Sequence, residues 1–384
     1  MENLIIDNWN RVDAISFYTY QSIHNPLVYS KQHSMWVANS YACCKSILSS
    51  EYARVPRPGI PESGTLNEEA LLMLNNLARI SNGDQHYHAR MAVRLLYDCI
   101  KAVSIGPIMD SLLATVNNHA EFDWVAVIGK QLPVVSILKG LSFSDEDCGW
   151  VVKNMPALIK IMLPQKTKQD IEDINEVIPR YYQLSSRYIH KHTITDQLLK
   201  CDATISRSEA SGLLICNLLG LFIQSYDACR ALLTIAATTL ARLKTERVSI
   251  KADNAFFQKL IDELLRIDPP VHNTRRIASH DLQVDDKVIK EGDAILVVLG
   301  AANMDYMVFD SPERFDIERG NNSAHLTFGL GGHACIAKHF CRDMAVQTSR
   351  YIVDRFGEIN IHQQNISYES QLNVKMAKRL MVGL

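Results

Sequence analysis

The 384-residue sequence predicts a mainly α-helical protein with a small β component. Three observations carry that expectation. Six segments between Glu68 and Phe356 have helical length and apolar spacing. A proline-free run from about Arg207 to Lys244 is apolar on nearly every face a helix would present. Only two short stretches, Ser34–Ala38 and Val288–Leu299, carry β-type runs. The β-rich parts therefore fall at about 25–60 and 270–300, with a helical core elsewhere. No linker, repeat or low-complexity stretch divides the chain, so residues 1–384 are expected to form a single domain.

In chain order, SMWVA at Ser34–Ala38 reads as a strand, and Glu68–Ser81, Gln85–Ala102 and Pro107–His119 read as helices. Val151–Met162 and Lys168–His192 follow, with Pro156 and Pro179 expected to kink or split them, because proline cannot donate to the carbonyl four residues back. The long run starts at Ser206-Arg207-Ser208-Glu209, whose serine and glutamate can satisfy two orphan amides of a helix start. At 1.5 Å per residue it would extend about 55 Å, through the centre of a large protein. Its midpoint, Gln224-Ser225-Tyr226-Asp227, breaks the apolar pattern, and a buried acid requires a partner or a task. Val288–Leu299 reads as β with Gly292-Asp293 as a turn inside it, and His339–Phe356 as a closing helix.

Composition narrows the function classes. The chain is 47% hydrophobic and 21% charged, with 40 basic against 42 acidic residues and a formal charge of −2. That balance gives no general attraction to nucleic acid or to an anionic membrane. The first twenty residues lack the basic and long apolar regions of a secretion signal, and the most apolar segment, Leu213–Ile223, is too short to span a bilayer. Nine cysteines without regular spacing or a CxxC pair form neither a disulfide framework nor a zinc site, which fits a reducing cytoplasm.

Phe328-Gly329-Leu330-Gly331-Gly332-His333-Ala334-Cys335 is the most specific stretch. Three glycines in four positions permit a tight, close-lying loop that delivers one cysteine just ahead of a helix, where the helix dipole stabilises a thiolate. The stretch resembles the haem-binding loop of the cytochrome P450 family, FGxGxHxCxG, with Ala337 in the place of the last glycine. Glu263-Leu264-Leu265-Arg266 resembles the family's ExxR. The spacing means little alone and recurs at Glu51–Arg54, but here Pro269-Pro270, Arg276, Ala302–Asp305 and Phe309–Asp316 follow in the family's order.

The resemblance implies the cytochrome P450 fold, with the long helix crossing over a haem b whose iron is bound by Cys335. It implies that Phe328 lies in the haem loop, and that His86, Arg90, Arg276 and His333 bind the haem carboxylates. Charge-assisted pairing is what carboxylates pushed into a protein require. His88, between the first two, is expected at the surface. The structural pair is Glu263 and Arg266. Aligning the family's acid–alcohol pair of the long helix on Asp227 puts Ala228 where threonine is usual, and a methyl group cannot move a proton. Three explanations stand: substrate and water complete the relay, Ser225 or Tyr226 substitutes, or the reaction does not need it. Pocket walls are expected in Pro56–Ser81, Met155–His192, Gln224–Ala228, Val271–Thr274 and Leu372–Met376, with Gln224, Tyr226, Val271 and Asn273 against substrate.

The function expected from the resemblance is monooxygenation of a small organic compound of the polyketide or peptide type, free or bound to a carrier protein. Electrons would come from a ferredoxin or flavodoxin, because no flavin or iron–sulfur motif is present; Lys338 and Arg342 could mark its docking face. A haem-thiolate oxidase performing coupling or desaturation, and a haem-binding protein without turnover, are the alternatives. A cytoplasmic monomer that binds neither nucleic acid nor membrane is expected.

Overall fold

The computed structural model describes residues 14–57, 65–116, 121–243, 253–362, 365–369 and 373–384. Its helices are α1 (Ala14–His24), α2 (Tyr41–Ser49), α3 (Glu68–Asn76), α4 (Gly83–Ile100), α5 (Ile105–Leu113), α6 (Leu132–Gly140) and α7 (Asp145–Leu158). These are followed by α8 (Lys168–Lys191), α9 (Ile194–Cys201), α10 (Arg207–Arg242), α11 (Asn254–Ile267), α12 (Leu299–Ala302) and α13 (Lys338–Phe356). The strands are β1 (Leu27–Ser30), β2 (Met35–Ala38), β3 (Ala53–Arg54), β4 (Phe122–Asp123) and β5 (Thr274–Ala278). The rest are β6 (Leu282–Val284), β7 (Lys287–Ile289), β8 (Ala294–Val297), β9 (Asn360–Ile361) and β10 (Met381–Gly383). Helix dominates, as the sequence pattern predicts.

The chain forms two units. One takes residues 1–54, 109–130 and 227–384 and holds every strand among the described residues. Its five-stranded sheet has the order β1-β2-β8-β5-β3, with β2 and β8 parallel and Met35 opposite Ala294. Alternation along β8 sorts its side chains. Ile295 and Val297 pack with Ile47 and Ala38 on one face, while Leu296 and Val298 pack with Tyr18 and Met304 on the other. The run Val288–Leu299 is thus two strands in different sheets. β7 pairs with β6, the chain turns at Gly292 (φ +88°), and β8 joins the larger sheet before Leu299 opens α12.

The other unit takes residues 55–108 and 131–226 and is helical among its described residues. Here two departures from the sequence pattern have identifiable causes. The segment Glu68–Ser81 is not one helix but α3 followed by a short 3₁₀ turn, Ala78–Ile80. At the break, the Asn217 side-chain amide donates to the Asn76 carbonyl (2.8 Å) and accepts from the Ala78 amide (2.9 Å), replacing helical bonds. Pro179 does not split α8, which runs unbroken for 24 residues. The carbonyl that Pro179 leaves without a helical donor, that of Asn175, accepts instead from the Asn67 side-chain amide at 3.3 Å. Pro156 lies two residues before the end of α7, which tightens into a 3₁₀ turn at Ile159–Met162.

Helix α10 belongs to both units, passing from one to the other between Tyr226 and Asp227. Its start is the reciprocal cap expected: the Ser206 amide donates to the Glu209 carboxylate (2.7 Å), and the Glu209 amide donates to the Ser206 hydroxyl (3.2 Å). Lys244, the last residue of the predicted run, lies outside the described residues. Among the described residues α10 is the one helix long and apolar enough to cross a membrane, and 78% of its most apolar window is buried within the protein, as in a core helix.

Candidate active site

The cysteine loop is built by two residues in the left-handed backbone region that favours glycine, Gly329 (φ +66°) and Gly331 (φ +67°). The Gly329 amide donates to the Leu326 carbonyl at 2.7 Å, and the Cys335 amide donates back to the Phe328 carbonyl at 2.8 Å, closing the loop under Phe328. A Cβ on Gly331 would lie 2.4 Å from the Leu48 carbonyl oxygen, so the loop presses directly on the last turn of α2. Three residues past Cys335, α13 begins. The partial positive charge at that helix start favours the thiolate form of the cysteine.

Behind the loop stands a buried charge network. Glu263 and Arg266, one turn apart on α11, are both 0% exposed and joined by two bonds of 2.7 and 2.8 Å. The rest of the guanidinium donates to the carbonyls of Asn303 (3.1 Å), Pro312 (2.7 Å) and Arg314 (3.2 Å). The Asp316 amide donates to Glu263, and Arg319 stands 3.7 Å from the same carboxylate. Asn303 continues the network, accepting from the Leu326 amide at 2.8 Å and donating to the Thr327 hydroxyl at 2.9 Å. The pair therefore fixes the chain from 303 to 319 and, through Asn303, the entrance of the cysteine loop. Arg319 and Thr327 were missed in the sequence, since neither spacing nor periodicity links them to α11.

Arg276, on β5, is 4% exposed. Its guanidinium donates to two neutral oxygens, the Thr274 hydroxyl and the Arg275 carbonyl. Burial pulls its guanidinium down to about 10, and no carboxylate opposes that shift. His333 closes a 3₁₀ turn, Gly331–His333, two residues before Cys335. These three residues belong to the sheet-containing unit.

His86 and Arg90 lie in the helical unit, one turn apart on α4 and both half-buried. The His86 Nδ1 bonds the Ala78 carbonyl at 2.8 Å, the residue whose amide Asn217 captures. His88 is not a bare surface residue. Its Nε2 lies 2.9 Å from the Asp202 carboxylate, and the side chain is half-buried.

At the midpoint of α10, Gln224 is exposed and Asp227 and Ala228 are half-buried, whereas Ser225 and Tyr226 are buried. The Ser225 hydroxyl donates to the Phe222 carbonyl at 3.0 Å, and the Gln224 amide donates to the Gly220 carbonyl at 3.0 Å. Two other expected wall segments meet: Val271 bridges to Val374, and the His272 amide donates to the Asn373 carbonyl at 2.9 Å. Asn273 is buried beside them. Residues 58–64 and Leu372, also expected in the walls, lie outside the described residues.

The comparisons with known proteins converge on one family. The family model for cytochrome P450 matches residues 252–370, the stretch that carries the buried pair, Arg276 and the cysteine loop. Over this stretch, about a third of its length, the chain is similar to the cytochrome P450 family. Cytochrome P450 140 of Mycobacterium tuberculosis is 40% identical over 26% of this chain, and that match spans 23% of the relative's own length. The biotin biosynthesis cytochrome P450 of Bacillus subtilis is 22% identical over 90% of this chain and 89% of its own. In structure, P450BioI, solved with an acyl carrier protein ligated to hexadec-9Z-enoic acid, superposes with a TM-score of 0.78. It is 20% identical and covers 99% of both chains, a likeness of fold.

Cytochromes P450 hold haem through a cysteine thiolate, and the residues present fit that group. Arg276 is a desolvated cation held by neutral oxygens alone, a donor set that an anionic carboxylate completes. The glycine loop supplies a thiol at a helix start on a backbone with no room for added side chains at Gly331. Arg342, expected with Lys338 on a docking face, is held by the Asp262 carboxylate through two bonds, one of them 2.7 Å, while Lys338 is exposed.

Proposed function

We infer that this chain is a haem-thiolate monooxygenase that oxidises a small organic molecule. The observation that carries the reading is Cys335, delivered by the Gly329–Gly331 loop to the start of α13 with the Glu263–Arg266 network behind it. Cys335 would bind the iron of haem b, and Arg276, His333, His86 and Arg90 would hold its carboxylates. When bound, haem supplies reductive activation of dioxygen for insertion into a C–H or C=C bond.

The chain's own part is proton handling and substrate placement. Asp227 is the acid of the α10 midpoint, and Ala228 beside it can neither donate nor accept. The Ser225 O–H is engaged with the Phe222 carbonyl, which leaves its oxygen as an acceptor only. Gln224 is the exposed polar side chain of that turn, and with its amide held by Gly220 its carbonyl oxygen is available to accept from a substrate N–H or O–H. This favours an oxygenated or amide-bearing metabolite of the polyketide or peptide type. The likeness to P450BioI supports delivery on a carrier protein. Electrons would come from a separate ferredoxin or flavodoxin, and the exposed Lys338 supports an acidic docking partner.

The missing hydroxyl at Ala228 favours a second reading, a haem-thiolate oxidase that couples or desaturates its substrate. A library of metabolites screened for a Soret shift identifies a substrate. Turnover in ¹⁸O₂ with a surrogate ferredoxin then decides. Label in the product establishes monooxygenation, and an unlabelled product two hydrogens lighter overturns it in favour of the oxidase.

A further inference from the structure

Two cysteines away from the Cys335 loop touch each other. The Sγ atoms of Cys229 and Cys341 are 2.9 Å apart, one on the second half of α10 and the other in the first turn of α13, within the same unit. Cys229 is 2% exposed, and Cys341 is the more open of the two. The separation is too short for a shared metal ion, since sulfurs bound to one tetrahedral zinc at ~2.3 Å stand roughly 3.8 Å apart. It leaves less than one ångström to close to a disulfide of ~2.05 Å.

We propose that Cys229 and Cys341 are a modification site: a dithiol that hydrogen peroxide converts to a disulfide fastening α10 to α13. The Cys341 sulfur attacks one peroxide oxygen, the O–O bond breaks, and the departing oxygen leaves as water with the thiol proton, giving a sulfenic acid. The Cys229 sulfur then attacks that sulfur, the S–S bond forms, and the S–O bond breaks to release a second water carrying the Cys229 proton. The two thiols lose two electrons and the peroxide gains them. A water-sized oxidant suits a pair with so little exposed surface, whereas glutathione disulfide is too large to reach Cys229. The bond closes a covalent loop across 112 residues. It ties the helix bearing Asp227 to the helix that follows Cys335.

The test uses the haem-loaded protein, treated with hydrogen peroxide, quenched with catalase, denatured, alkylated with iodoacetamide and mapped by mass spectrometry. Exposed Cys201 reports that oxidant was delivered. At the dose that oxidises Cys201, the expected result is a Cys229–Cys341 linked peptide in more than half of the molecules. Dithiothreitol removes it, and Cys341→Ser abolishes it while Cys201 still oxidises. Alkylated Cys229 and Cys341 at that dose overturn the proposal, as does a cross-link from either to a different cysteine.

Discussion

The Glu263 carboxylate and the Arg266 guanidinium face each other through two hydrogen bonds in a place water does not reach, and each then holds backbone of a distant segment. Removing one partner leaves a buried charge without its opposite, which costs about 3–5 kcal/mol. Glu263→Gln is expected to lower unfolding stability by that amount and to reduce haem retention, because the carbonyls of Asn303 and Pro312 lose a fixed donor. Denaturant unfolding with haem content measured in parallel checks it; a loss under 1 kcal/mol contradicts it.

The two neighbouring glycines of the cysteine loop should respond differently. Gly331→Ala must place a Cβ 2.4 Å from a backbone oxygen at φ +67°, whereas a Cβ on Gly332 meets nothing within 4 Å. Left-handed strain alone costs about 1–2 kcal/mol, and the clash with Leu48 adds to it. Gly331→Ala is expected to lose at least about 2 kcal/mol of stability and most bound haem. Gly332→Ala should stay within about 1 kcal/mol of the parent. Equal effects in thermal melts would rule out the packing of the loop on α2.

Arg276 supplies a test with opposite signs. Without an anion its buried charge is a stability cost; with a carboxylate it becomes a binding group. Arg276→Met is therefore expected to raise the stability of the haem-free protein and to increase the rate of haem loss to an apomyoglobin acceptor. A variant that destabilises the haem-free protein and leaves haem loss unchanged contradicts the assignment.

Stability should fall in mild acid because of His272. Burial lowers it from its ordinary value of 6.5 to about 4, with its Nδ1 2.7 Å from the Tyr18 hydroxyl. Above pH ~6.5 the imidazole is neutral whether the chain is folded or not. As pH falls from ~6.5 to ~4, the unfolded chain binds a proton that the folded one refuses, and stability drops by about 3 kcal/mol before levelling off. Urea unfolding across pH 4.5–7.5 measures the slope. His272→Gln should reduce it by about one proton, and an unchanged slope excludes His272 as its source.

Features written in contiguous residues were legible in the sequence. The cysteine loop needs glycines at fixed offsets from its cysteine, and the cap of α10 needs a serine and a glutamate three apart, so both read directly. Features completed by a distant residue were not. Asn217 ends α3 from 141 residues away, and Asn67 accommodates Pro179 from another helix. Arg319 joins Glu263 only once the chain after α12 has folded back. The two- and three-residue strands β4, β9 and β10 are too short to carry a period. At the α10 midpoint the sequence gives the residue types, but their sorting into exposed Gln224 and buried Ser225 and Tyr226 depends on what packs against the helix.

Cys335 is expected to bind iron as a thiolate. Its most direct test is the absorption spectrum of the reduced, carbon-monoxide-treated protein beside that of Cys335→Ser. The parent is expected to show a band at about 450 nm and the variant to lack it. A parent without that band, or a serine variant with an unchanged spectrum, contradicts it.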